Sequence, residues 1–176
     1  MPEPLVALVM EDPRWNADML APMAERAAGA TLAHLGHATC GYEIALLACE
    51  DARIAVLNAD FRGKAQPTNV LSWPEWDLGA EMDGALPDPP PPADVDDPEP
   101  LGNIAMAHET CTREAAEQGK SLEAHLTHLV VHSVLHLLGY DHIRDKDAAL
   151  MEETERQILA QLGVADPYDD AASEPE

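Results

Sequence analysis

Positive charge is scarce in this chain: ten Lys and Arg face 33 Asp and Glu, for a formal net charge of −23. A field of that sign opposes nonspecific grip on a polyanion, so any nucleic-acid role must rest on a local basic cluster. Only three cysteines occur (Cys40, Cys49 and Cys111), odd in number and without a C-x-x-C pair. That argues against a disulfide scaffold or a thiolate zinc ribbon and suits buried thiols in a reducing cytoplasm. No run approaches the roughly 20 apolar residues of a membrane helix, so no membrane partner is expected. The short apolar run Leu5–Met10 lacks a basic start and a small-residue cleavage site, and so makes a poor signal peptide. No internal repeat is apparent.

What is present is enough for one domain. The 176 residues are 46% apolar, which supports a buried core. The acids are unevenly placed. Nine lie in residues 75–100 (Glu75, Asp77, Glu81, Asp83, Asp88, Asp94, Asp96, Asp97 and Glu99) and five in 166–176, and neither stretch holds a Lys or Arg. Four consecutive prolines, Pro89–Pro92, also fall in the first stretch. Such a composition buries too little to offset its ordering entropy. The expected organisation is therefore a single domain over 1–165, interrupted by a flexible acidic loop at about 75–100. An acidic, disordered tail over 166–176 completes it.

Hydrophobic patterning predicts strands at Leu5–Met10, Tyr42–Cys49, Asn69–Trp73 and Leu101–Ala107. Helices are expected from Met19 to about Leu35, Asp51 to about Phe61, Glu109 to Gln118, Ser121 to about Leu138, and Lys146 to Leu162. Strands and helices mix without strict βαβ alternation. The predicted class is α+β, a small mixed sheet covered by helices with a zinc site at the end of one of them.

That site is read from His132-Ser-Val-Leu-His136-Leu-Leu-Gly139-Tyr-Asp-His142. Side chains four apart share a helix face, so His132 and His136 can hold one ion. Gly139 allows a left-handed exit that swings His142 back to the same ion. Three imidazoles with a fourth position open describe a catalytic zinc centre, one Zn2+ per chain. His128, His132 and His136 also form a row, but a rigid helix spreads them over about 12 Å, too far to wrap one ion. His142 is thus the better third ligand and His128 a core or supporting group. The H-E-x-x-H-x-x-G-x-x-H zinc proteases share the spacing, yet their general base follows the first histidine, where this chain has Ser133. Peptide hydrolysis by that route is disfavoured. Asp141 can orient a ligand or act at the metal site, and equally can brace the turn.

A second constellation is Asn58-Ala-Asp-Phe-Arg62-Gly-Lys64-Ala-Gln-Pro67-Thr68-Asn69-Val-Leu-Ser72-Trp73-Pro74. Arg62 can fork two hydrogen bonds onto a phosphate and stabilise charge developing during its cleavage. As a cation at a helix C-terminus it can equally answer the macrodipole.

Together the two constellations resemble the YbeY family of bacterial rRNA maturation factors. The first is similar to that family's H-G-x-L-H-L-x-G-Y-D-H, the second to its N-x-x-[YF]-R-G-K-x-x-P-T-[DN]-V-L-S-F-P. Leu101-Gly-Asn-Ile104 and the Met151–Glu155 helix continue the resemblance over nearly all of the chain outside the acidic loop and tail. It implies His132, His136 and His142 as zinc ligands and Arg62 as the functional arginine near the metal. It further implies a cytoplasmic, single-strand-specific endoribonuclease, a hydrolase of phosphodiester bonds acting in 16S rRNA 3′-end maturation and ribosome quality control. The implied partners are single-stranded rRNA and the small ribosomal subunit with its proteins, with no DNA. Asp141 is a candidate base. The chain departs from the pattern at Ser133 (glycine in the family), Asn103 (often aspartate) and Ala65-Gln66 (often Asp-Lys). A non-catalytic ribosome-assembly factor with a stabilising zinc, docking on a basic ribosomal protein, is the competing expectation, and a zinc peptidase a more distant one.

Overall fold

A computed structural model describes residues 4–63 and 67–167, without the side chains of Phe61 and Arg62. Nine elements follow in order: β1 (Val6–Met10), α1 (Ala17–His34), β2 (Tyr42–Cys49), α2 (Asp51–Arg62), β3 (Val70–Pro74), β4 (Glu99–Ala107), α3 (His108–Glu117), α4 (Leu122–Leu137) and α5 (Asp145–Gln161). The strands form one mixed sheet in the order β1-β2-β4-β3. β1, β2 and β4 are parallel, and β3 runs antiparallel along the edge beside β4.

Alternation along the strands sends side chains to two cores. Ile44, Leu46 and Ala48 of β2 and Ile104 and Met106 of β4 join the larger core with α1, α4 and α5. Their neighbours Cys49, Ala105 and Ala107 face Ile54 of α2 across the sheet. Helices therefore cover both faces, which explains why β1 and the Ile44–Cys49 part of β2 read as unbroken apolar runs. α4 is the most enclosed helix, with Leu126, Val130, Val131, Val134, Leu135 and Leu137 all buried. Its close seat on the sheet depends on Gly102, at φ +142°, where a Cβ would lie 2.3 Å from the Trp73 carbonyl oxygen and 2.8 Å from a Leu137 methyl.

Helix ends follow local chemistry. Ser121 accepts a hydrogen bond from Ala124 N–H at the start of α4, and Asn16 does the same for Asp18 in α1. Asp51 is the first helical residue of α2, after Glu50. Its carboxylate is turned to α3, accepting from Thr110 N–H at 3.0 Å and Thr110 Oγ1 at 2.8 Å. Strand β4 also begins two residues earlier than apolar patterning predicts. There Glu99 N–H bonds the Gly41 carbonyl at 2.9 Å, a backbone pairing to which side-chain type is indifferent.

The acidic stretch 75–100, read from composition as a solvated loop, lies against the body at several points. Leu78 is buried, and Asp94 N–H bonds the Gly41 carbonyl at 3.1 Å. Tyr42 donates its hydroxyl to the Pro91 carbonyl at 2.6 Å. Arg144 donates to the carbonyls of Ala80 and Glu81, both at 2.8 Å. Prolines fix φ before folding, so such a path costs less entropy than its length suggests. Most of the tail, residues 168–176, lies outside the described residues. Among the described residues no helix is long and apolar enough to cross a membrane.

Candidate metal centre

The site is built where α4 stops. Gly139 N–H bonds the His136 carbonyl at 3.1 Å and Tyr140 N–H bonds the Leu135 carbonyl at 3.0 Å, the paired bonds of a Schellman ending. Gly139 sits at φ +100°, and a Cβ there would lie 2.7 Å from the Leu78 backbone. The residue thus meets two demands, a left-handed exit and the close passage of the acidic segment. Beyond it, Asp141 Oδ1 accepts the His142 N–H at 2.7 Å and fixes the turn that carries the third histidine.

Ligand atoms of His132, His136 and His142 all lie within 4.8 Å of one another. The rings of His132 and His136 are 4.6 Å apart between centroids, and that of His142 is 5.4 and 5.1 Å from them. Tautomers follow from the far side of each ring. His136 Nδ1 faces the Tyr140 carbonyl at 3.0 Å, which can only accept, so Nδ1 carries the proton. His132 Nδ1 likewise faces a carboxylate oxygen of Glu155. Both Nε2 atoms are then bare lone pairs, and they point at each other across 3.1 Å. Two lone pairs at that distance repel unless a cation lies between them. Tetrahedral zinc with Zn–N of about 2.0 Å separates its ligand nitrogens by about 3.3 Å, so the donor set fits such an ion. Burial, and after it the positive charge His132 and His142 can carry, lowers the His136 pKa to about 4. The ring is therefore held in the neutral, ligating form.

Glu155 is the residue that sequence patterning misses. It lies on α5, fully buried, with one oxygen on His132 Nδ1 and the other 3.2 Å from His128 Nε2. Burial alone pushes its carboxyl up, but the hydrogen bonds from His128 and His132 outweigh it and bring the pKa down to about 2. One signal was available: a carboxylate in the apolar stripe of Met151, Ile158 and Leu162.

The histidines open on a cleft of about 1290 Å³ between α4 and the wall formed by β3 and the acidic segment. Trp73, Trp76, Asp141 and Arg144 line it. Ser133 does not line it. Its hydroxyl is fully buried, and among the described residues Oγ has no hydrogen-bond partner. Arg62 is the last residue of α2, and its side chain, with all of Lys64, lies outside the described residues. Asn103 is exposed on β4, and Asp141 lies at the cleft mouth, exposed.

Comparison with known proteins agrees with this architecture. Residues 11–163 match the model of the family described as Endoribonuclease YbeY. The chain belongs to the YbeY family. It is 57% identical to the Endoribonuclease YbeY of Cereibacter sphaeroides over 166 residues, covering 94% of this chain and 99% of that protein. It is 56% identical to that of Ruegeria pomeroyi over 161 residues, 92% of this chain and 96% of the relative. In three dimensions this YbeY chain is similar to the solution structure of a Thermotoga maritima protein. The TM-score is 0.57 at 20% identity, covering 94% of this chain and 99% of the other, a likeness of fold.

Proposed function

We propose that this chain is a metal-dependent endoribonuclease of single-stranded RNA, with one zinc ion held by His132, His136 and His142. The observation that carries the proposal is the pair of bare Nε2 atoms 3.1 Å apart beside a cleft, in a chain whose relatives are named as endoribonucleases. The bound ion would supply Lewis acidity toward a phosphate oxygen or toward water. His136 and His132 hold their donor atoms bare through Tyr140 and Glu155. Asp141 braces the turn that delivers His142 and, at the cleft mouth, is the candidate base. Arg62 would fork onto the scissile phosphate and stabilise its developing charge. Trp76, its indole N–H tied to the Pro100 carbonyl at 3.1 Å and 39% exposed, offers a face on which an unpaired base can stack.

The 3′ end of 16S rRNA on the small ribosomal subunit, in the cytoplasm, is the proposed setting, with residues 1–165 working as a single domain. Three free thiols support a reducing compartment. The acidic surface favours approach guided by basic ribosomal proteins rather than by naked RNA. A non-catalytic assembly factor fits that surface equally well, so the test must read turnover. End-labelled single-stranded RNA covering the 16S 3′ end is incubated with the native protein, Arg62→Ala and His136→Ala, all purified identically. Cleavage by the native protein alone is expected, with each variant down by about 100-fold or more. No cleavage by the native protein on RNA or on small subunits would leave the binding role as the better account.

A further inference from the structure

We infer that Glu155 is a positioning residue for the metal centre, acting through His132 and balanced by His128. The inference rests on His132 being a ligand. A buried carboxylate is costly unless every side is answered, and Glu155 has no exposure at all. Its two oxygens are divided between His132 Nδ1 and His128 Nε2, at consecutive turns of α4. The bond to Nδ1 has three consequences for a ligand at Nε2. It selects the tautomer that leaves Nε2 bare, it stops the ring rotating, and it makes the imidazole a stronger donor. None of these requires Glu155 to approach the ion. His128, excluded as a ligand by helix geometry, thereby acquires a role as the second hydrogen-bond donor to that carboxylate. α5, which contributes no ligand, becomes part of the site.

Among the described residues one rival arrangement exists. His128, His132 and Glu155 also place ligand atoms within 4.8 Å of one another and could hold a second ion. Holding both ions would require His132 to bridge them with both nitrogens deprotonated, whereas its Nδ1 faces a carboxylate that needs the proton.

The test measures zinc affinity by competition with a chelating dye, zinc content by elemental analysis, and the His132 tautomer by 15N NMR of the metal-free full-length chain. Native protein should bind one ion and show His132 protonated at Nδ1. Glu155→Gln should fold, still bind one ion, and bind it about 10- to 100-fold more weakly, with a mixed His132 tautomer. A folded Glu155→Gln within about threefold of native affinity would overturn the inference. So would two ions in the native protein falling to one in the variant, because Glu155 would then be a ligand. If Glu155→Gln does not fold, the native spectrum still decides, since His132 protonated at Nε2 would overturn the inference. Native affinity no better than that of His136→Ala would sink the metal site itself, while the tautomer would still test the hydrogen bond to Glu155.

Discussion

The two halves of the candidate metal centre are built differently. His132 and His136 stand on the most enclosed helix of the fold, each ring held from behind, by Glu155 and by the Tyr140 carbonyl. His142 is exposed, on a turn held by Asp141 and by the clasp of Arg144 on the acidic segment. The helical half is paid for by the core whether or not an ion is bound. The turn half depends on one glycine and a few surface bonds. A centre of this kind keeps two donors preorganised and leaves the third where a substrate's approach and the turn's own motion can reach it.

The sharpest way to break this division is Gly139→Ala. The methyl group meets the Leu78 backbone at 2.7 Å in a positive-φ conformation, so the helix exit and the acidic wall must both shift. A stability loss of about 3 kcal/mol or more is expected, together with weakened zinc binding, read from urea melts and dye competition. Stability near native would mean that Leu78 yields freely and that the wall is not seated on this turn.

A paired comparison comes next in size. His136→Ala and His142→Ala each remove one proposed ligand and should weaken zinc binding alike. In the metal-free chain only the first should matter. His136→Ala leaves a partly filled space and an unmet Tyr140 carbonyl, for about 1–3 kcal/mol, while His142→Ala should stay within about 0.5 kcal/mol. The pH response sharpens the contrast. His136 is held near 4 against about 6.5 in an unfolded chain. The unfolded state thus binds the extra proton between those values, and metal-free stability falls as pH drops from about 6.5 toward 4. That slope should be shallower in His136→Ala, and equal slopes in urea melts across this range would place the proton uptake elsewhere.

The same division explains what could be foreseen. The gathering of His132, His136 and His142 was legible because helical spacing and a glycine at the exit constrain geometry within a dozen residues. The sheet and helices were legible because apolar periodicity tracks burial, and β2 matches its expected bounds residue for residue. Long-range pairing was not legible. Glu155 is 23 residues from His132 in sequence, and only the packing of α5 on α4 brings them together. The path of the acidic segment was hidden for a related reason. It is set by backbone carbonyls and by Leu78, while the composition of the segment is dominated by the acids and prolines around them. Asp51 shows the local limit, since an acid at a helix start is an N-cap candidate by type, but here a neighbouring helix claims its carboxylate.

The smallest expected effect concerns the inner side of α4. Ser133 occupies the position where the zinc proteases carry their base, and it does not line the cleft; its hydroxyl is buried, without a partner among the described residues. An unanswered buried hydroxyl costs about 1–3 kcal/mol, and alanine is the better helix former by a few tenths of a kcal/mol. Ser133→Ala should therefore raise stability by about 1 kcal/mol and leave zinc affinity and RNA cleavage unchanged. Because His132 and His136 stand close to this position on the same helix, a change in affinity without a change in stability would mean that Ser133 communicates with the site. An unchanged site in a more stable protein would mark the boundary of the metal centre at the cleft-facing side of α4.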